Sequence, residues 1–560
     1  RRTGRGAILR NIRAAKSLMN FIRSLYGPRR MHKLVQAKEG KSIITYFTTD
    51  LITILKKVKI REPAAQIIAG AAISVSREAG DGAVSTIILA GKILEKCEKL
   101  IRKGIHPSHL LDGLVNSAKF VLSKMNDLIV SNGFSKEAAV KYGIRSSLIG
   151  KVPLTDLNFF TDLVVRATEI VGYENLKNMG NMYPHRIVDV KIAEGGSLRD
   201  SHTVDGIVIF GKPPHPRMPR EVNDAKIAVI RNVELITPKG QGIVKRYWNY
   251  RLVFNRTDFL HEFERSRKQY LFELADKILA SGANVIIMEK GVDDLLLEYF
   301  ADKGVLVIRG IPIQELERIA QSVGANMVAD LNDLRPSDLG YASRIEVKKL
   351  GERHWIYIKG CKNPQTIDIV LRGFAHQITG EIERIIYNAL RAARTAYLDQ
   401  RFVYGGGAFE EEIALALERH AETFTDKNQV VMKAVAEAFE GIPEVLASNC
   451  GLNTLDAIIE LRARHAKGEK DAGIDGVGRR IESMEKLGVY DSAKVKEYVI
   501  RAAFEVAYSI LRVDEYIKLR PLPEPERYYK QRMKALSKEH VKKLREDYGL
   551  DYVKSAEESE

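Results

Sequence analysis

Helix-type periodicity fills both ends of this 560-residue chain, and strands alternate with helices only in its middle. That order points to a nested architecture before any motif is read. Near the start, Ile8, Ile12, Ala15, Met19 and Ile22 share one helical face over residues 8–25, and Tyr26-Gly27-Pro28 ends the helix. Helices run from Pro63 to about Leu128, broken by a glycine turn at 80–82 and by Ile105-His106-Pro107. After Ser131-Asn132-Gly133 come short helices, loops and strands to about Asp205, with β-type alternation over 187–209. A proline-rich loop with Pro213, Pro214, Pro216 and Pro219 follows. Residues 225–345 read as an α/β insert: strand 226–230, a long helix from Thr257 or Asp258, strand 283–288, a helix to about Lys303 and strand 305–308. The insert lacks G-x-G-x-x-G, so dinucleotide binding is not expected. Helical texture returns at Gly380 and continues to about Ile517, interrupted at Gly405-Gly406-Gly407. The two chain ends therefore build one helical domain, a smaller segment flanks each side, and an α/β domain is inserted between them.

Apolar residues form 45% of the chain, enough for several cores. The charge is +16, from 88 Lys/Arg against 72 Asp/Glu. Nucleic acid, a membrane surface or acidic partners would fit that sign, and so would an ion-pair-rich surface, because both signs interleave throughout. Cys97, Cys361 and Cys450 are far apart, which suggests neither a zinc site nor a disulfide framework and fits a reducing compartment. No apolar run is long enough to span a bilayer, and the basic start R-R-T-G-R-G has no apolar core behind it. A soluble cytoplasmic protein is the expectation.

The chemistry concentrates at Glu78–Gly91, E-A-G-D-G-A-V-S-T-I-I-L-A-G. Two glycines let backbone approach a bulky anion, and the amides of the outgoing helix point at it with the helix dipole behind them. The Asp81 carboxylate suits Mg²⁺ held against phosphate oxygens. An ordinary Asp-Gly turn between helices satisfies the same residues. Elsewhere Arg29, Arg30, His32 and Lys33 form a basic loop that suits phosphate but more commonly reads as a solvated turn, and Ser42–Tyr46 reads as a short strand. Thr48, Thr49 and Asp50 precede an apolar segment as capping residues do. Ser146, Ser147 and Lys151 read as a loop with Gly150, and the lone His106 as structural. Tyr247, Trp248, Tyr250, Leu252, Val253 and Phe254 form an aromatic patch that suits either core or a sticky surface for other polypeptides. Between Arg527 and Arg545 the tail carries eight Lys/Arg against Glu539 alone, as an amphipathic helix or a segment that orders on binding would.

The nested order and a series of short motifs resemble the group II chaperonins, the archaeal thermosomes and the eukaryotic cytosolic chaperonin. The motifs are G-P at 27–28, T-I-L-K at 53–56, P-A-A at 63–65, G-D-G at 80–82, L-A-G at 89–91 and I-H-P at 105–107. They continue with G-G-S at 195–197, G-A-N-V at 282–285, S-D-L-G-Y-A at 337–342, G-C-K-N-P at 360–364, G-G-G-A at 405–408 and A-I-I-E-L-R-A at 457–463. The resemblance implies a multidomain α plus α/β fold. Residues 1–135 and 395–525 would form a helical equatorial domain, and 136–204 and 359–394 a small intermediate domain. An α/β apical domain with a helical protrusion would occupy 205–358, and 526–560 a basic tail. It also implies a double ring, shared with paralogous subunits, that folds unfolded polypeptide using ATP and Mg²⁺. By the same resemblance Gly27, Pro28, Gly82, Ala83, Val84, Ser85, Lys151, Gly406, Asp491 and Lys496 would surround the nucleotide. Asp81 would hold the metal, and Tyr250, Phe254, Phe259 and Phe263 would meet unfolded chains.

Departures from the family pattern shape the functional expectation. Ala83 and Val84 stand where threonines usually donate hydroxyls, and Arg30 and His32 replace a glycine and an aspartate after Gly27-Pro28. The family's N-D-G-A-T reads T-D-L-I-T at 49–53, and its E-R-S-x-x-D-A-L reads E-R-I-I-Y-N-A-L at 383–390. Asn388 thus holds the catalytic aspartate position, and an amide cannot take a proton from water. The expected protein is a slowly hydrolysing ring subunit, resembling the divergent third, or gamma, type. The alternatives are a fully hydrolysing subunit that uses Asp50 as its base and a nucleic-acid-binding protein on the same fold. No basic stripe interleaved with regularly spaced aromatics supports the last of these.

Overall fold

The computed structural model describes residues 2–39, 42–130, 134–178, 187–233, 235, 257–362 and 366–516. The chain divides into two compact units, residues 1–10 with 513–560 and residues 11–512. In the first unit Arg2–Thr3 pairs antiparallel with Glu515–Tyr516, and the Gly4 amide donates to the Asp514 carbonyl at 2.8 Å.

In the second unit, chain-distant helices pack together. Pro63–Ala79, Ala83–Arg102 and Pro107–Met125 meet Lys427–Cys450 and Ala493–Leu511. Their apolar stripes explain the packing: Ile87, Ile88, Leu94, Val435, Phe439, Ala503 and Ile510 are all buried. The region 380–517 is not helical throughout, as periodicity suggested. Phe402–Tyr404 pairs with Tyr490–Ser492, and Ala472–Asp475 with Arg480–Ser483. Of the basic stretch after Pro28, Lys33 belongs to a strand rather than to a turn. Lys33–Glu39 forms a strand paired antiparallel with Ser42–Thr48.

The inserted α/β region builds a seven-stranded sheet. Its parallel half is Glu221–Ile230, Val285–Met288 and Leu306–Ile308, with Met327–Val328 joined to the first of these. Gly340–Leu350, Arg353–Cys361 and Gly206–Phe210 extend it antiparallel. Residues 227–230, 285–288 and 306–308 are unbroken apolar runs, as in parallel strands covered on both faces, and Ile227, Val229, Ile286 and Val307 are fully buried. Between this sheet and the helical part lies a three-stranded sheet. Ile367–Gly373 is its centre, parallel to Val188–Glu194 and antiparallel to His202–Val204. Helices Lys136–Leu148, Leu157–Val171 and His376–Leu398 close a core against it, including Phe160, Ile369, Ile385 and Leu390.

No helix among the described residues is long and apolar enough to cross a membrane. Cys97, Cys361 and Cys450 carry free thiols.

Candidate functional site

The Gly80-Asp81-Gly82 turn is built by its backbone. Gly80 ends Pro63–Ala79 with φ +80°, its amide donating to the Ser76 carbonyl. Gly82 starts Ala83–Arg102 with φ +89° and without a side-chain cap. Positive φ favours glycine at both positions, and so does close packing. A Cβ on Gly80 would lie 2.5 Å from the Ala392 amide nitrogen and 2.7 Å from the Asn388 carbonyl oxygen. On Gly82 it would meet Val499 at 2.8 Å and Val495 at 2.9 Å. Two helices from the other end of the chain therefore fix where Asp81 stands.

A cleft opens in front of this turn. Its walls include Tyr26, Gly27, Pro28, Asp81, Gly82 and Ser85. Val84, Gly406, Asp491 and Lys496 line the same space, so the structure brings together most of the residues that the motifs single out. The first amides of an α-helix have no partner within it, and those of Ala83–Arg102 start at this cleft. Ala83 itself is buried, and Thr86 turns its hydroxyl back to the Gly82 carbonyl at 2.9 Å. Lys151, in the turn after Lys136–Leu148, does not line the cleft but places its Nζ 3.2 Å from Asp81 Oδ1. Ser146 and Ser147 belong to that helix rather than to a loop.

At the far end Lys496 lies buried between two carboxylates, 2.6 Å from Glu410 and 2.8 Å from Asp491. Burial works against its charge, but Asp491 and Glu410 hold its pKa well above the usual lysine value. Ser146 donates to the other Asp491 oxygen at 3.1 Å. Burial pushes the neighbouring Tyr26 phenol well above its ordinary pKa. Gly406 has φ +63°, and a Cβ there would sit 2.5 Å from the Met484 sulfur and 3.1 Å from the Ile474 carbonyl oxygen.

Asp50 and Asn388 lie together in an adjoining recess, with Thr53, Arg77, Tyr387 and Arg391. Asp50 caps the Leu51–Lys57 helix: its Oδ2 accepts from the Thr53 amide at 3.0 Å and the Thr53 hydroxyl at 2.7 Å. Its Oδ1 is 3.5 Å from the Asn388 amide nitrogen, and Arg391 donates to Asn388 Oδ1 at 3.0 Å. Tyr250 and Phe254 lie outside the described residues, as do the side chains of Phe259 and Phe263.

Sequence reasoning missed two contributors. Glu410 follows the glycine triplet but signals no partner, since Lys496 is 86 positions away. Glu381 holds the Asp50 loop from a helix 331 positions on, and no local pattern marks it. Arg30, from the basic loop that suits phosphate or a solvated turn, lines the cleft.

A nucleotide fits these residues: open helix amides, a cleft wall at Gly82 and Gly406 where positive φ and close packing exclude a side chain, and a carboxylate at the amide end. One carboxylate suffices for Mg²⁺, which keeps several waters and binds mainly through phosphate oxygens.

The chain matches the TCP-1/cpn60 chaperonin family over residues 18–521. Thermosome subunit beta of Archaeoglobus fulgidus is 32% identical over 522 residues, 93% of this chain and 94% of the relative. Thermosome subunit alpha of Aeropyrum pernix is 34% identical over 517 residues, 92% of this chain and 91% of that one. Thermosome subunit alpha of Saccharolobus solfataricus is 34% identical over 533 residues, 93% of each chain. A match that runs through the helical ends, the small sheet and the inserted α/β region makes this chain a member of the TCP-1/cpn60 chaperonin family, of the group II type.

Proposed function

We propose that this chain is one subunit type of a double-ring, ATP-dependent chaperone, that it binds ATP with Mg²⁺ in the cleft around Gly82, and that it hydrolyses the nucleotide slowly. The relatives are named as alpha and beta thermosome subunits, which supports a ring shared with paralogues. On this reading the helical ends are the equatorial domain at 1–135 and 395–525, flanked by the intermediate parts at 136–204 and 359–394. The apical domain at 205–358 binds unfolded polypeptide. The divergent site favours the gamma type.

One observation carries the slow hydrolysis: an amide stands at 388, beside Asp50 and under Arg391. When bound, Mg²⁺ would neutralise charge on the phosphate oxygens, and Asp81 is the residue that would hold it. Lys151 would position the terminal phosphate, and the first amides of Ala83–Arg102 would bind phosphate oxygens. Asn388 can donate to an attacking water or accept from it, but it cannot take its proton. Asp50 is the one carboxylate among the described residues that line the recess, and capping Thr53 already engages one of its oxygens.

Steady-state ATP turnover of the purified full chain tests this reading. Wild type should turn over far below a hydrolysing thermosome, and Asn388→Asp should raise turnover by about 10²-fold, the usual worth of a positioned base. Wild-type turnover equal to that of an active thermosome would overturn slow hydrolysis. If Asp50→Asn abolished that turnover, Asp50 would be the base.

A further inference from the structure

Arg30 is the cation in the cleft that the motifs do not account for. It lines the cleft with Asp81, Gly82 and Ser85 and is only partly exposed. Its Nε donates to the Gly27 carbonyl at 3.0 Å, which ties the guanidinium to the turn that forms the cleft wall. Gly150 packs against this same hydrogen bond. A Cβ on Gly150 would come within 3.1 Å of Arg30 Nε and 2.3 Å of the Gly27 carbonyl oxygen, so only a glycine lets that turn close over the arginine.

The four terminal N–H groups of Arg30 have no protein acceptor among the described residues. Asp81 and Asp50 act on Arg30 through charge alone, without an ion-pair contact, and Asp81 is already paired with Lys151 at 3.2 Å. With Asp81 engaged by Lys151, Arg30 has no ion-pair partner of its own among the described residues. Partial burial of a guanidinium is unfavourable unless an anion meets its donors, and its planar fork matches two oxygens of a phosphate.

We infer that Arg30 binds the phosphate chain of the nucleotide directly through its terminal N–H groups, and that this contact lets the cleft hold a nucleoside polyphosphate without a divalent metal. The inference rests on the reading of the cleft as a nucleotide site. It assigns Arg30 a share of the charge neutralisation that a metal ion otherwise supplies.

Calorimetric titration of ATP into the full chain, once with Mg²⁺ and once with EDTA, tests it. Wild type should bind in EDTA within about fivefold of its affinity with Mg²⁺. Arg30→Ala should lose about ten- to a hundredfold in EDTA, as expected for charge-assisted hydrogen bonds to phosphate, and clearly less with Mg²⁺. Arg30→Lys keeps the charge without the fork and should fall between them. Two results would overturn the inference while leaving the nucleotide site intact: wild type that binds ATP only with Mg²⁺, or Arg30→Ala that binds in EDTA as wild type does. Wild type that binds ATP in neither buffer would overturn the nucleotide site and this inference together. Thermal unfolding of both variants checks the fold. If Arg30→Ala does not fold, the wild-type comparison and Arg30→Lys decide, and a lysine variant as tight as wild type in EDTA would overturn the role of the fork.

Discussion

Glu411 is fully buried in the first turn of Ala408–Ala421, and neither of its carboxylate oxygens has a hydrogen-bond partner among the described residues. Burial raises its pKa to about 7, with the Glu440 charge adding to the rise and His465 and Arg462 opposing it. The folded chain therefore keeps this proton over a range in which the unfolded chain has lost it. The resulting stabilisation is complete below the ordinary value of 4.5, declines as pH rises, and is gone above about pH 7. Glu411→Gln cannot ionise, so its stability should match wild type near pH 4.5 and exceed it by about 1–3 kcal/mol at pH 8. Urea unfolding midpoints across that range would check this, and parallel pH profiles for the two proteins would refute it. The same reasoning applies to Asn388→Asp. A carboxylate there would face Asp50, and like charges so close raise one pKa. The restored turnover should therefore rise with pH, and a flat profile would show that Arg391 neutralises the pair.

Glu381 fastens one element to another. From the His376–Leu398 helix it accepts from the Thr48 hydroxyl at 2.6 Å, the Thr49 amide at 2.7 Å and the Asp50 amide at 3.1 Å. It thereby fixes the end of the 33–48 hairpin and the start of Leu51–Lys57. Glu381→Ala strands the buried Thr49 amide, whereas the Asp50 amide keeps the Thr48 hydroxyl oxygen at 2.9 Å; the change should cost about 1–3 kcal/mol, with faster hydrogen exchange over 42–55, while Glu381→Gln keeps an acceptor and should recover most of the loss. Unchanged exchange in the alanine variant would mean that the loop is held elsewhere. Long helices were legible because their apolar periods run over many residues, and the buried parallel strands because they are continuous apolar runs, V-I-I-M at 285–288 and L-V-I at 306–308. The 33–48 hairpin was half legible: Leu34, Ile44 and Phe47 stay exposed, so no buried face marks Lys33–Glu39 as a strand. The ribbons near 402 and 472 are three or four residues long, shorter than any period, and Phe402 pairs with Ser492 across 90 positions. Ser146-Ser147 suggested a loop, but Gly143 packs so tightly on Ala396 that tertiary contact overrides weak helix propensity. At the cleft, Gly80, Gly82 and Gly406 were legible because positive φ needs glycine, whereas the partners of Asp81 and Lys496 depend on distant chain segments.

Across the second unit, an ion network joins the inserted α/β region to the three-stranded sheet. Arg318, on the Ile313–Val323 helix, contacts Asp368 at 2.6 Å and Asp189 at 3.2 Å. Lys191 contacts Asp189 at 3.0 Å and Glu315 at 2.6 Å. Asp368 is completely buried and also accepts from the Val208 amide at 2.8 Å, at the strand where the chain enters the insert. Burial raises the pKa of Asp368 against the pull of Arg318 and Lys191, so its ionised form depends on those cations. Removing one partner from such a cluster leaves a buried charge uncompensated, which typically costs about 3–5 kcal/mol, whereas removing both charges costs less. Arg318→Met should therefore destabilise more than the double variant Arg318→Met/Asp368→Leu, even though the latter also strands the Val208 amide. The readout belongs at the junction: hydrogen exchange over 204–210 and 366–373 should speed up most in the single variant, with the core around Ile286 and Val307 slowest in both. Equal exchange in the single and double variants would show that packing, rather than charge, couples the insert to the remainder of this unit.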